Sequence, residues 1–302
     1  MKTLSRLTPA VVLFTALFLL FLTSCKKEGS LSSTETVTEE EATTYSDEST
    51  QAEASFDDVE DVSMLAADEE GETSVYGRGA EDAGRLFPFV ELRRRLGPCA
   101  TITVFPADSS YPKTITIDFG PIGCLCTDGK YRRGKIVTHL TAPIRRSGSV
   151  MTITLDSFYL NRASVQGTKV VSNLSENGNI KFTVQVVGGK VTHPNGRGYT
   201  YNSLKYVRQT EGGTTRPVMD DVYKIEGRSK TEFNNGVVIN LDTETPLVKK
   251  TACHWISDGT LKIKINSRVL YLNYGAPSNG DCDNKAILTW NNGANSRLIT
   301  LP

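Results

Sequence analysis

From Ala100 to Leu301 apolar and polar residues change places almost one for one, and this period of two limits the fold more than any other property of the chain. Ile102 and Val104 alternate with Thr101 and Thr103, and Ile115 and Ile117 with Thr114 and Thr116. Met151, Ile153 and Leu155 stand against Thr152, Thr154 and Asp156; Phe182, Val184 and Val186 against Thr183 and Gln185; Ile263 and Ile265 against Lys262 and Lys264. Successive side chains of a strand point to opposite faces, so each run buries one face and leaves Thr, Lys or Gln in water, as in an antiparallel sheet with one solvated side. Asp128-Gly129, Ser147-Gly148, Asn177-Gly178, Gly188-Gly189, Asn235-Gly236, Asp258-Gly259 and Asn292-Gly293 punctuate the runs as turn signals. About ten to twelve strands fit between them, given ordinary strand lengths. The only helix candidate, Pro88 to Leu96, is short and basic, so a parallel sheet with helical crossovers is excluded. The expected fold of 85–302 is all-β, an antiparallel hairpin meander forming either a two-sheet sandwich or one elongated sheet. Ile115 to Gly120 leading to Cys124, Cys126 and Asp128 is echoed by Leu270 to Gly275 leading to Cys282 and Asp283, which suggests two related hairpin modules, about 100–215 and 216–302.

The N-terminus follows different rules. Lys2 and Arg6 precede an apolar run from Ala10 to Leu22, too short to span a bilayer as a helix, which needs about 20 residues. Residues 1–24 are therefore expected to be a signal peptide. Leu22-Thr23-Ser24-Cys25 resembles a bacterial lipobox, and that resemblance implies a diacylglycerol and further acyl (palmitate-type) chains on Cys25. Each buried methylene contributes about 0.8 kcal/mol, so two or three chains hold a protein stably on a membrane. The strings Ile117-Asp118-Phe119-Gly120, Cys126-Thr127-Asp128-Gly129-Lys130, Cys253-His254-Trp255-Ile256-Ser257-Asp258-Gly259 and Cys282-Asp283-Asn284-Lys285-Ala286, taken with the leader, resemble a group of cell-envelope lipoproteins from Bacteroidota across most of the chain. The resemblance implies lineage and an outer-membrane, lipid-anchored location on the periplasmic or the surface side; it implies no activity and no site.

A net charge of zero over the whole chain hides a division. Residues 26–84 carry 18 Asp/Glu against three Lys/Arg, whereas 85–302 carry 16 acidic and 29 basic residues, a net of +13. Rich in Ser, Thr, Asp and Glu and poor in aromatics, 25–84 is expected to be an acidic disordered tether, because it buries too little apolar area to offset chain entropy. Phe56, Val59, Val62 and Leu65 recur every three residues within it; this is taken as chance clustering rather than a docked helix. The charge division permits salt-sensitive contact of the basic domain with its own tether, or binding of an anionic glycan such as the phosphate-bearing core of lipopolysaccharide, against the favoured reading of a diffusely basic surface with no dedicated partner. Nucleic acid is not an expected partner, because a lipid-anchored export product rarely meets it.

Chemistry-bearing residues are few. With Cys25 lipidated, Cys99, Cys124, Cys126, Cys253 and Cys282 remain, and an exported chain favours disulfides. Cys253 with Cys282 is the favoured pair, Cys99 with Cys124 or Cys126 the second, and one thiol is left over. Cys99, Cys124, Cys126 and His139 match no paired-cysteine zinc spacing, so neither a metal nor a cofactor is expected. His139, His193 and His254 accompany no G-x-S-x-G elbow, and most carboxylates sit in turn strings beside Gly or Asn. The most suggestive surface is Arg197, Tyr199, Tyr201 and Lys205, which share one face of a strand and suit sugar stacking and acidic substituents. These features favour a non-catalytic, lipid-anchored envelope protein for adhesion, ligand capture or structure over an extracytoplasmic hydrolase of polysaccharide or peptide.

Overall fold

The structure is a computed structural model that describes residues 39–76, 89–213, 220–253 and 255–301. The leader, Cys25, His254 and the parts 25–38 and 77–84 of the acidic stretch lie outside the described residues.

The alternating runs form fourteen strands among the described residues: β1 (Thr101–Phe105), β2 (Lys113–Asp118), β3 (Cys124–Leu125), β4 (Tyr131–Leu140), β5 (Val150–Leu160), β6 (Ala163–Asn173), β7 (Lys181–Thr192) and β8 (Gly198–Glu211), then β9 (Val222–Phe233), β10 (Val238–Lys250), β11 (Asp258–Ile265), β12 (Arg268–Asn273), β13 (Lys285–Trp290) and β14 (Asn295–Thr300). All are antiparallel neighbours in chain order within one sheet, with β3 set aside as a two-residue flap on β4. The elongated meander is therefore the form adopted, and the sandwich is not. β8 and β9 pair from Tyr199↔Phe233 to Glu211↔Val222, so the sheet crosses the expected module boundary near residue 215 without a seam. Two turn signals misled. Gly188-Gly189 lies inside β7 at a register shift, and Asp258-Gly259 opens β11. A Cβ on Gly189 would sit 2.4 Å from the Tyr201 carbonyl and 2.8 Å from the Phe56 ring, so a glycine there reflects close approach rather than chain reversal.

The larger correction concerns the acidic stretch. Over Glu39–Tyr76 it is one helix, α1, lying across the sheet. Tyr45, Ser49, Phe56, Val59, Ser63, Ala66 and Glu70 recur at steps of three, four or seven residues, and all are buried, as is Ala67. Val62 is fully buried as well, whereas Leu65 is only partly covered. Small residues at 49, 63, 66 and 67 let the helix approach the strands closely. The tether reading failed because it weighed the helix's own few apolar residues; helices in proteins draw most of their stability from what they pack against. Here Ile115, Ile136, Ile153, Val165, Val171, Val186 and Tyr201 supply that partner face, continuous with the helix in one core. The candidate at Pro88 to Leu96 is a helix, α2 (Val90–Leu96), followed by a 3-10 turn (Gly97–Cys99). Its Leu92 and Leu96 join the same core, and the Glu69 carboxylate on α1 accepts the backbone N–H groups of Glu91 at 2.8 Å and Leu92 at 3.2 Å.

α1 runs diagonally. Its N-terminal part meets the sheet end that carries the β7–β8 and β9–β10 turns, where Asn235 donates to the Tyr45 hydroxyl at 2.7 Å. Its C-terminal part reaches the opposite end, where Arg145 of the β4–β5 connection pairs with Asp68 at 3.0 Å.

Candidate functional site

The seam between α1 and the sheet is built of charge. α1 carries fourteen acidic and no basic residues, and among the described residues at least six of its carboxylates pair with cations of the strands and their turns. Glu48 pairs with Arg197 at 2.9 Å, Asp57 with Lys169 at 3.1 Å and Lys205 at 3.6 Å, Asp58 with Arg132 at 2.6 Å, and Glu70 with Lys113 at 3.0 Å. Glu53 pairs with Lys205 and Glu60 with Lys169. The side chains of Asp58 and Arg132 are both 0% exposed, and those of Lys113 and Glu70 are 0% and 1%. Arg132 Nε and Nη2 both donate to Asp58, its Nη1 and Nη2 also donate to Asp128, and Lys130 reaches Asp58 at 2.8 Å. Burial opposes ionisation of Asp128, but the hydrogen bonds and charge of Arg132 overcome it and hold the carboxyl down at about 2.

This seam absorbs the candidate ligand surface. Tyr199, Tyr201 and Lys205 do share a face of β8, that face is under α1, and Arg197 just before the strand reaches the same helix. Tyr201 is 1% exposed and stacks on Phe56 with centroids 5.3 Å apart. Tyr199 is buried edge-on to Phe233, and both cations are paired with the helix. What covers this aromatic and cationic surface is the chain's own acidic helix, so it is not an open ligand face. An open depression of about 390 Å³ beside it is lined by Leu65, Glu91, Arg94, Arg95, Thr127 and Asp128. Arg94 is paired there with Glu91, and Arg95 with Asp58, Asp61 and Asp128.

On the outer face the charges are arranged otherwise. Lys135 pairs with Asp118 at 3.1 Å, Lys230 with Glu232, and Arg133 lies 3.7 Å over the Tyr159 ring. Lys181, Arg208 and Lys224 differ: the register places Lys181 opposite Arg208 and Arg208 opposite Lys224, so three cations line up across β7, β8 and β9. All three are exposed, and among the described residues none makes an ion pair. Tyr206, 52% exposed, stands two residues from Arg208 on the same face, opposite Glu226. Directly opposed like charges destabilise a sheet. Sequence reasoning missed this row, because Lys181, Arg208 and Lys224 are scattered and only the strand register aligns them.

The cysteines pair as the leading expectations had it. Cys253 is joined to Cys282 and Cys99 to Cys124, with Cα separations of 5.5 and 5.7 Å, leaving Cys126 as a buried thiol. Closing the Cys253–Cys282 loop, with its separation of 29 residues, contributes roughly 3–4 kcal/mol by chain entropy. The Cys99, Cys124 and Cys126 sulfurs lie within 4.8 Å of one another, and His139 is apart from them, with Nδ1 3.4 Å from the Thr114 hydroxyl. His193 packs against the Tyr199 ring at 6.1 Å. No helix among the described residues is long and apolar enough to cross a membrane. No family model, curated protein or solved structure matches the chain.

Proposed function

We propose that the chain is a lipid-anchored, non-catalytic envelope protein whose sheet is a stiff platform presenting cations to an anionic polymer. The observation that carries the reading is the division of charge between the two faces. The inner face spends its Lys and Arg on α1, while on the outer face the row Lys181, Arg208 and Lys224 makes no ion pair among the described residues. Residues held at a cost to the fold are the ones to expect at a binding surface. Opposed cations spaced at the strand separation, about 4.8 Å, suit a chain of closely spaced phosphate, sulfate or carboxylate groups, and the exposed Tyr206 ring offers a stacking plane for a sugar. The row lies at the sheet end remote from the start of α1. Ten residues of β8 separate Gly198 from Arg208, roughly 33 Å at the rise of a strand.

Two measurements test this. Cys25→Ser should move the chain from the membrane fraction to the soluble fraction and lower the mature mass by the acyl groups; unchanged fractionation rejects the anchor. The triple variant Lys181→Gln, Arg208→Gln, Lys224→Gln should bind an immobilised sulfated polysaccharide, heparin as the probe, at least about tenfold more weakly, taking about 0.5–1 kcal/mol per exposed contact. Its thermal midpoint should be unchanged or higher, because opposed like charges have been removed. Undiminished heparin binding by the folded variant rejects the outer row as the capture surface.

A further inference from the structure

Cys124 and Cys126 stand two residues apart at the β3 flap, so their side chains share a face, and the 3-10 turn sets Cys99 against both. Cys99 and Cys124 are half-buried, and Cys126 is 3% exposed. The Arg132 guanidinium, fixed by Asp58 and Asp128, lies beside the Cys126 thiol. One disulfide and one thiol are thus held together, with a cation beside the thiol.

We propose that Cys99, Cys124 and Cys126 form a thiol–disulfide exchange site that moves the odd thiol from the sealed Cys126 to the more open Cys124, where it takes up a small external disulfide. In the first step the Cys126 thiolate attacks Cys99 Sγ. The Cys99–Cys126 bond forms, the Cys99–Cys124 bond breaks, and Cys124 leaves as a thiolate. The number of disulfides is unchanged, so no oxidant is consumed. In the second step the Cys124 thiolate attacks one sulfur of the external disulfide, forms a mixed disulfide and releases the other half as a thiol. Attack requires the thiolate and an accessible sulfur. Burial pushes the Cys126 thiol up, Arg132 on β4 pulls it down, and Asp128 after β3 and Asp58 on α1 push it up again. Exchange therefore quickens as pH rises.

The full chain is incubated with oxidised glutathione at pH 7 and pH 9, quenched in acid, alkylated with N-ethylmaleimide and digested without reduction. Chymotryptic cleavage after Leu125 separates Cys124 from Cys126 for mass spectrometry. The expected products are a Cys99–Cys126 link and glutathione on Cys124, forming at least about tenfold faster at the higher pH as the thiolate fraction rises. Cys126→Ser should abolish glutathione uptake at Cys124, and Cys124→Ser should give the Cys99–Cys126 link throughout the sample. Cys99–Cys124 as the only pairing at both pH values, with Cys124 never modified, overturns the proposal. So does a chain isolated with all three thiols free. The wild-type map needs no variant to fold.

Discussion

Asp58→Ala should lower the free energy of unfolding by about 3–5 kcal/mol, the cost of leaving a buried charge without its partner. Arg132 is wholly buried and donates twice to Asp58, and Lys130 and Arg95 converge on the same carboxylate. Asp128 remains as a second acceptor for Arg132, which places the effect toward the lower end of that range. Replacing both members, Asp58→Leu with Arg132→Met, should recover much of the loss, because a buried ion pair contributes little beyond an apolar pair of similar volume. Urea denaturation read by circular dichroism measures both, and a single variant within 1 kcal/mol of the parent would sink the idea of a sealed pair. The same titration at pH 7, 4, 3 and 2 carries a sign. Asp128 is held down at about 2; for Asp57 burial opposes ionisation, but the charges of Lys205 and Lys169 overcome it and lower its pKa. Unfolded aspartates titrate near 3.9. A carboxyl depressed on folding adds stability above its unfolded pKa and loses it as pH falls toward the folded value. The urea midpoint should therefore fall from about pH 4 downward, and less steeply in Asp128→Asn.

Removal of α1 should abolish a soluble fold altogether. A chain beginning at residue 89 would expose the inner faces of β2 to β9 and leave Lys113, Arg132 and Lys169 buried against nothing. Inclusion bodies or a precipitating product are expected on expression; a soluble, cooperatively melting 89–302 would reinstate the tether. A milder form of the test is Phe56→Ala, for which truncation of a buried aromatic should cost about 3–5 kcal/mol, Phe56 being 1% exposed against Tyr201. Salt separates a docked helix from an attracted tail. At 1 M salt the screening length is about 3 Å and surface pairs are lost, yet amide exchange around Asp58 and Glu70 should stay slow, because their pairs with Arg132 and Lys113 are closed to water.

The sheet was legible and the helix was not, for one reason. In a strand, side chain and face are tied by the period of two, so Ile115, Ile153 and Val184 announce their side without knowing their neighbours. Asp58 and Glu70 announce the opposite of their location: in isolation they belong in water, and cations far along the chain, Arg132 and Lys113 at 74 and 43 positions among them, make their burial tolerable. The same gap explains the ligand surface, where Tyr199, Tyr201 and Lys205 were grouped correctly on one face and their occupant was overlooked. Disulfide pairing was readable because it follows from hairpin adjacency, whereas the outer cation row depends on inter-strand register across three strands.

The position of α1 also sets an order of assembly. It is made before every strand, yet its partners arrive along the chain in reverse: its C-terminal half waits for β2 and β4, and its N-terminal half for β8 and β9. Ser49 meets Thr231 across 182 residues and Tyr45 meets Asn235 across 190. Contacts of such span are closed late and slowly. Throughout that interval the acidic residues of α1 repel one another and hold the segment in solution, so the charge that later knits the core first serves as the helix's own chaperone.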